Sequence, residues 1–113
     1  MKRHIPTPIM HRVVESDGLV FVGGTIADDD TLGMKDQAAS VFSKIDSYLA
    51  EAGTDKTKIL SCTIFVTDLA QKAEMNAAWQ DWLEPVHMPT RATIGVADLG
   101  GNILIEVTAI ARK

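Results

Sequence analysis

The strongest structural signal in this chain is a run of apolar residues at helical spacing between Met34 and Ala52. The spacing matches one face of an amphipathic helix. The apolar positions are Ala38, Val41, Phe42, Ile45, Leu49 and Ala52. Gly53 follows directly, and glycine adopts the positive φ that often ends a helix without steric cost. The sequence therefore predicts a helix over 34–52, and the rest of the fold must bury its apolar face.

A second helix is predicted after a central strand. Ile59–Thr67 alternates β-branched, aromatic and polar residues, which is typical of a strand. Asp68 can cap the next helix, with Gln71 as its capping-box partner. Pro85 ends this helix because proline lacks a backbone donor. The apolar face of the helix is formed by Met75, Ala78, Trp79, Trp82 and Leu83.

The N-terminal part of the chain predicts a hairpin. Met10–Glu15 and Leu19–Val22 are short apolar segments on either side of the turn residues Ser16-Asp17-Gly18. Gly23-Gly24 then interrupts the second strand, which indicates a bulge or a close backbone approach. Thr25-Ile26-Ala27 extends the strand beyond the two glycines.

The C-terminal part predicts two more strands. A loop over 87–89 precedes a strand over Thr90–Ala97, and Gly100-Gly101 forms a tight turn before the last strand, Asn102–Ala111. Strands thus alternate with two helices, which predicts an α/β fold with a mixed sheet. A chain of 113 residues is expected to form one domain over residues 1–113.

The last strand is apolar on both faces, which bears on assembly. One face carries Ile103, Ile105, Val107 and Ala109, and the other carries Leu104 and Ile110. Two helices cover only one face of a sheet of this size. An exposed apolar sheet face is a liability for a monomer, so we expect another copy of the chain to cover it.

Composition excludes several classes of protein. The formal net charge of −4 and the absence of a basic stripe argue against nucleic acid as a partner. No stretch approaches 18 apolar residues, so no membrane-spanning helix is expected. The single cysteine excludes an intrachain disulfide, and no signal sequence is recognisable at the N-terminus. We therefore expect a cytoplasmic protein with no membrane partner.

Three features in the sequence suggest chemistry. Arg91 begins a strand and shares a face with Thr93, and its planar guanidinium suits a carboxylate. Glu106 interrupts an otherwise apolar strand, where a carboxylate requires either a hydrogen-bonding or charged partner or a functional role. At the double glycine Gly23-Gly24, the backbone N–H groups can approach a small ligand closely. Each feature also has a structural explanation: a surface ion pair for the arginine, an interface pair for the glutamate and a simple bulge for the glycines.

The remaining candidate residues indicate no further site. His4 is expected to be solvated near the terminus, and His87 is expected to be structural. No two histidines stand at metal-ligand spacing with a third donor, so no metal is expected. Cys62 lies in the central strand and is expected to be an inert core residue. No phosphate-binding loop or Ser-His-Asp set is present, and no cofactor is expected.

Four segments together resemble the signature of the RidA (YjgF-like) family in order and spacing. They are Thr63-Ile64-Phe65-Val66-Thr67-Asp68-Leu69, Met75-Asn76-Ala77-Ala78-Trp79, Pro89-Thr90-Arg91 and Ile105-Glu106-Val107-Thr108-Ala109-Ile110-Ala111. The resemblance extends from about Val13 to Arg112. The Trp79 and Trp82 pair makes the chain more similar to a short, divergent subgroup than to the archetypal RidA.

The resemblance implies a chorismate-mutase-like fold, with a mixed sheet carrying two helices on one face, assembled as a trimeric barrel. It implies a homotrimer with clefts between subunits, each binding a small carboxylate-bearing metabolite. Arg91 matches the family's carboxylate-binding arginine, and Glu106 matches the glutamate that positions or activates water. Thr93 and Gly23 match pocket positions that contribute backbone contacts. Asn76 matches a frequent family asparagine, for which we expect a structural role.

The chain departs from the family pattern around the pocket wall. The N-terminal segment that often carries an aromatic residue is Thr7-Pro8-Ile9-Met10-His11 here, without a tyrosine. His11 is a candidate to replace that aromatic from a neighbouring chain. The family's glutamine after the strand-two glycine is also absent, and Gly24-Thr25 stands there. These departures concern substrate preference and rate.

The function implied is cofactor-free hydrolysis of an enamine or imine derived from an amino acid, giving a 2-keto acid and ammonia. Three alternatives remain at this point. The first is a trimer that binds small carboxylates without catalysis. The second is an endoribonuclease-like activity, which the acidic net charge disfavours. The third is a chorismate-mutase-type reaction, which needs several cations where only Arg91 is well placed.

Overall fold

The structure is a computed structural model that describes residues 1–113, and it contains six strands and two α-helices. Three short 3-10 turns complete the regular structure, at Lys56–Lys58, Leu69–Gln71 and Pro85–His87. The main elements are β1 (Lys2–Pro6), β2 (His11–Ser16), β3 (Leu19–Thr25), α1 (Met34–Glu51), β4 (Ile59–Val66), α2 (Lys72–Trp82), β5 (Thr90–Gly95) and β6 (Ile105–Arg112).

The six strands form one mixed sheet in the order β1-β2-β3-β6-β4-β5. Every neighbouring pair is antiparallel except β4 and β5, which run parallel and are joined through α2. A parallel pair requires such a crossover, because its strands start at the same end of the sheet. The predicted α/β fold with a mixed sheet is confirmed.

The hydrophobic core lies between the helices and one face of the sheet. Burial alternates along β6 and along β4 from Cys62 onward, where every second side chain is buried and its neighbours are more exposed. The helix predicted over 34–52 is confirmed as α1, and the apolar positions of its stripe are buried. Phe42 of α1 stacks on Trp82 of α2, with ring centroids 4.5 Å apart, and this contact joins the two helices.

The C-terminus of α1 shows why Gly53 follows the helix. Gly53 has a φ of +77°, and its N–H donates to the carbonyl of Ala50. The Thr54 N–H donates to the Leu49 carbonyl, which completes a Schellman motif. The predicted C′ glycine is confirmed, and so is the bulge in β3, where the register shifts between Val22 and Thr25.

The opposite face of the sheet exposes large apolar side chains. Those with more than a third of their surface exposed are Phe21 (41%), Leu60 (45%), Ile94 (44%) and Ile110 (36%). Two of the four, Phe21 and Ile110, are register partners on β3 and β6. An apolar face of this kind is unusual on a monomer.

Several predicted boundaries are wrong. The last strand begins at Ile105 instead of Asn102, and Leu104, which was assigned to the open face, precedes β6 and packs half-buried against the core. β5 ends at Gly95 instead of Ala97. The first hairpin strand is His11–Ser16. The loop predicted over 87–89 is partly a 3-10 turn.

The capping box predicted at Asp68 is wrong in detail. The Asp68 carboxylate accepts from the Ala70 N–H and caps the 3-10 turn that precedes α2. Gln71 is the residue before α2, and its Oε1 atom is buried without a hydrogen-bond partner. The carboxylate therefore makes a tighter local turn instead of a reciprocal pair.

The N-terminal strand β1 was not predicted. It pairs with β2 along the edge of the sheet and contains Pro6, which an edge position tolerates. His4, which was expected to be solvated, instead forms a short hydrogen bond with the buried carboxylate of Glu15. Neither helix is apolar over a length that would let it cross a membrane.

Candidate active site

Arg91 lies on β5, on the face of the sheet that the helices cover. It is the register partner of Cys62, and Thr93 is the partner of Ile64, both of which are buried under the helices. Because paired residues in a sheet point to the same side, Arg91 and Thr93 share a face, as predicted. The guanidinium carbon of Arg91 lies 5.1 Å from the ring centroid of Trp79, a distance typical of a cation–π contact.

The charge of Arg91 has no acidic partner in the chain. Its only side-chain hydrogen-bond contact is with the Met75 thioether, at 3.9 Å, and a thioether is a weak acceptor. None of the ion pairs of the chain includes Arg91. Partial burial lowers the pKa of Arg91, but an arginine remains charged. The guanidinium donors are therefore available to a ligand.

A cavity of about 300 Å³ opens beside Arg91. Its lining residues are Asn76, Trp79, Gln80, Met88 and Arg91. The Asn76 Oδ1 atom is buried and has no hydrogen-bond partner, and the same is true of the Thr93 Oγ1 atom. Buried polar atoms usually have hydrogen-bond partners. These two atoms therefore leave hydrogen-bonding capacity between α2 and β5 that the single chain does not satisfy.

Glu106 lies on β6 and points to the other face of the sheet. Its register partner is Phe65, whereas its neighbours Ile105 and Val107 are buried beneath the helices. Alternation along a strand therefore places the Glu106 side chain on the face opposite to the helices. A separate cavity of about 600 Å³ lies beside it, and Arg12, Gly24 and Lys44 are among its lining residues.

The two glycines of the β3 bulge have different surroundings. A methyl group at Gly24 would overlap the Glu106 carboxylate, so the absence of a side chain there leaves room for that carboxylate. A methyl group at Gly23 would instead press against the end of the Met10 side chain, at 2.7 Å. Of the two glycines, Gly23 was the one expected to contact the substrate, whereas Gly24 is the one that adjoins Glu106.

The histidines lie apart from both cavities. His11 is exposed at the start of β2 and lines neither of them. His87 lies 3.8 Å from the exposed Glu84 carboxylate. Cys62 is buried, and burial raises the pKa of its thiol to about 12. No three His, Cys, Asp or Glu residues are grouped closely enough to hold a metal ion.

One chain does not bring Arg91 and Glu106 together. They project from opposite faces of the sheet, and the cavities beside them share no residue. Sequence reasoning also missed two cations in the Glu106 cavity, Arg12 and Lys44. They come from β2 and α1, and no local motif signals that the fold places them beside β6.

Comparison with known proteins identifies the family. The family model described as endoribonuclease L-PSP matches residues 5–113. A RutC family protein from Haemophilus ducreyi is 34% identical over 95 residues, covering 84% of this chain and 81% of the relative. A RutC family protein from Aquifex aeolicus is 30% identical over 118 residues, covering 99% and 94%.

Solved structures agree with the sequence comparison. A YjgF family member from Neisseria meningitidis is 30% identical and covers 99% of this chain and 93% of its own, with a TM-score of 0.92. A Rid family protein of unknown function from Yersinia pestis is 27% identical, covers 96% and 90%, and has a TM-score of 0.87. The resemblance inferred from the sequence is confirmed, and this chain belongs to the RutC/YjgF/Rid family, whose matching model is described as endoribonuclease L-PSP.

Proposed function

We propose that this protein hydrolyses reactive imines or enamines derived from amino acids, releasing a 2-keto acid and ammonia without a cofactor. The observation that carries the proposal is the half-buried guanidinium of Arg91, which has no acidic partner and borders a cavity. Family membership is consistent with this activity and does not specify it.

Arg91 is suited to hold the carboxylate of such a substrate. A guanidinium binds a carboxylate through two parallel hydrogen bonds, which fixes the plane of the ligand. The contact with Trp79 restrains the guanidinium before a ligand arrives. Holding the carboxylate in this way orients the C=N carbon for attack, and such orientation lowers a barrier by several kcal/mol.

Glu106 is suited to act on water. In the proposed reaction, the water oxygen bonds to the C=N carbon while Glu106 accepts one water proton and passes it to the imine nitrogen, which gives a carbinolamine. Glu106 then accepts the hydroxyl proton of the carbinolamine as the C=O bond forms and the C–N bond breaks, and it gives that proton to the leaving nitrogen. The products are the 2-keto acid and ammonia, and no oxidant or cofactor is consumed.

The placement of the two residues favours a site made by two chains. Arg91 and Glu106 point to opposite faces within one protomer, so a substrate that touches both must lie between subunits. The exposed apolar face of the sheet supplies a surface for that assembly. We propose a homotrimer, in which Arg91 of one chain meets Glu106 of its neighbour across each interface.

The direct test is an imine-hydrolysis assay. An amino-acid oxidase generates imines from a panel of amino acids, and semicarbazide traps the imine that has not been hydrolysed. Wild type is compared with Arg91→Ala, with Arg91→Lys, which keeps the charge but loses the planar fork, and with Arg3→Ala as an exposed control. We expect wild type and Arg3→Ala to lower the trapped product, Arg91→Ala to be inactive and Arg91→Lys to be strongly impaired.

Two results would contradict the proposal. Full activity in Arg91→Ala would remove the arginine from the reaction. A wild-type protein inactive on every imine would instead favour the alternative of a carboxylate-binding trimer without catalysis, which uses the same guanidinium. A carboxylate that raises the melting temperature of wild type but not of Arg91→Ala, and is not consumed, would support that alternative.

RNA cleavage is the activity named in the description of the matching family model. The net charge of −4 disfavours it here, because binding of a polyanion depends on clustered basic residues. Incubation with single-stranded RNA therefore belongs in the assay as a negative control, and we expect the RNA to remain intact.

A further inference from the structure

The cavity beside Glu106 contains charged groups that the proposed reaction does not use. It has a volume of about 600 Å³, which lies within the range of small-molecule sites. Its charged residues are Arg12, Asp28, Lys44 and Glu106. The rest of the lining is largely apolar or small: Thr7, Pro8, Ile9, Met10, Gly24, Ile26 and Ala27.

Of the two cations that line this cavity, Lys44 already has hydrogen-bond and ion-pair partners within the chain. Its Nζ atom donates to the Ile26 carbonyl and to the Asp28 carboxylate, each at 2.8 Å. This ion pair lowers the pKa of Asp28. The lysine and the aspartate thus neutralise each other at one side of the cavity.

Arg12, in contrast, has no ion-pair partner. Its guanidinium forms no direct ion pair with a carboxylate of the chain, although its charge also helps to lower the pKa of Asp28, and the centroid of the Tyr48 ring lies 6.0 Å from the guanidinium carbon. The residue is half-buried, so the side chain is held near the cavity wall. A restrained guanidinium with free donors is suited to a second planar anion.

We propose that Arg12 makes the enzyme selective for imines with a second carboxylate at the end of the side chain, as formed from acidic amino acids. This inference rests on the proposed function and adds the substrate class. Arg91 of one chain would hold the α-carboxylate, Glu106 of its neighbour would act on water, and Arg12 beside Glu106 would bind the distal carboxylate. The apolar wall formed by Pro8, Ile9 and Met10 suits the intervening methylene groups.

A carboxylate fits this position better than a phosphate. One unpaired guanidinium offers a single fork, which matches the two oxygens of a carboxylate. A phosphate dianion would require more donors, while the nearby Asp28 and Glu106 carboxylates would repel it. The net charge of the four charged residues is zero, so a single added negative charge is tolerated.

The test compares imines made from glutamate and from leucine, using wild type, Arg12→Gln, Arg12→Lys and the exposed control Arg3→Gln. We expect wild type to have the higher kcat/KM for the glutamate-derived imine. Arg12→Gln should lower that value roughly 10- to 100-fold, as expected for a lost charged hydrogen bond, and leave the leucine-derived imine within about twofold. Arg12→Lys should retain part of the preference, and Arg3→Gln all of it.

A wild type that handles both imines equally would overturn the inference while leaving the proposed function intact. So would an equal loss on both imines in Arg12→Gln, or an altered oligomer mass in size-exclusion chromatography, because either would make Arg12 a structural residue. Inactivity of wild type on every imine would overturn the proposed function instead. Ligand binding then tests whether Arg12 holds a second carboxylate. Glutarate should raise the melting temperature of wild type more than butyrate does, and Arg12→Gln should abolish that difference. If either result is not obtained, the inference fails.

Discussion

Arg91 and Glu106 project from opposite faces of one sheet, because their register partners, Cys62 and Phe65, are three residues apart on β4. An odd separation along a strand changes the face. The two residues that the family resemblance assigns to catalysis can therefore act on one substrate only when they come from different chains.

Mixed oligomers test this arrangement. Arg91→Ala and Glu106→Gln are each expected to be inactive alone. When they are mixed and reassembled in equal amounts, about a quarter of the interfaces receive both intact residues, for any closed ring of subunits. We expect roughly that share of wild-type imine hydrolysis, measured by trapping with semicarbazide. A mixture that stays inactive although mass spectrometry shows exchanged subunits would argue for a site within one chain.

Gly24→Ala is predicted to impair catalysis more than stability. The added methyl group would overlap the Glu106 carboxylate, which is the flexible end of a side chain and can rotate away at modest cost. We expect kcat to fall at least tenfold, with a melting temperature close to that of wild type. The control is Gly33→Ala, where the added carbon would meet nothing within 4 Å. Unchanged kcat in Gly24→Ala would mean that the position of Glu106 is not critical.

The elements that could be predicted from the sequence are those specified by local patterns. The apolar stripe of α1 and the glycine that follows it are local signals, and the structure matches both. The shared face of Arg91 and Thr93 follows from strand alternation alone. The open apolar face was expected from Ile110, and the structure exposes that residue together with Phe21 and Leu60.

The features that were missed depend on contacts between distant parts of the chain. β1 has little strand character of its own, and pairing with β2 and the His4–Glu15 contact hold it in place. The role of Gly24 depends on the register between β3 and β6, which the bulge shifts. Arg12 likewise lies beside the Glu106 cavity because of how distant segments pack, and no spacing rule in the sequence predicts that position.

Ile110→Lys is predicted to disrupt the proposed oligomer. Ile110 lies opposite Phe21 on the exposed face, and a lysine there would place a charge in the proposed apolar interface. We expect light scattering to report a smaller assembly than wild type, with loss of imine hydrolysis because the proposed site lies between two chains. Val86→Lys, on a turn and 81% exposed, should change neither property. An assembly of unchanged mass in Ile110→Lys would place the interface elsewhere.

Cys62 is predicted to be unreactive in the folded protein. It is 1% exposed, and burial raises the pKa of its thiol to about 12, although the nearby charge of Arg91 acts in the opposite direction. The reactive thiolate is therefore almost absent at neutral pH. We expect a thiol reagent such as DTNB to label the protein only after unfolding in concentrated guanidinium chloride. Rapid labelling of the native protein at pH 8 would contradict both the burial of Cys62 and the raised pKa of its thiol.

The contacts of Glu15 with Lys113 and His4 predict how the stability of the protein depends on pH. The Lys113 Nζ atom lies 2.9 Å from the Glu15 carboxylate, and hydrogen bonds from Lys113 and then His4 lower the pKa of Glu15 below its usual value of 4.5. A carboxyl whose pKa is lower in the folded state stabilises the protein above its unfolded pKa. That contribution is lost as the pH falls through the lower, folded value.

Glu15→Gln removes the titrating group and provides the measurement. Urea unfolding should show the variant to be less stable than wild type at pH 7, and the difference should shrink as the pH falls below about 4.5. Glu51→Gln, which removes an exposed carboxylate at the end of α1, is the matched control. A difference between wild type and Glu15→Gln that stays constant down to pH 3 would mean that the Lys113 and His4 contacts do not favour the ionised carboxylate. In that case the β1 edge would be held by its backbone pairing with β2 and by the packing of Ile5 against the core.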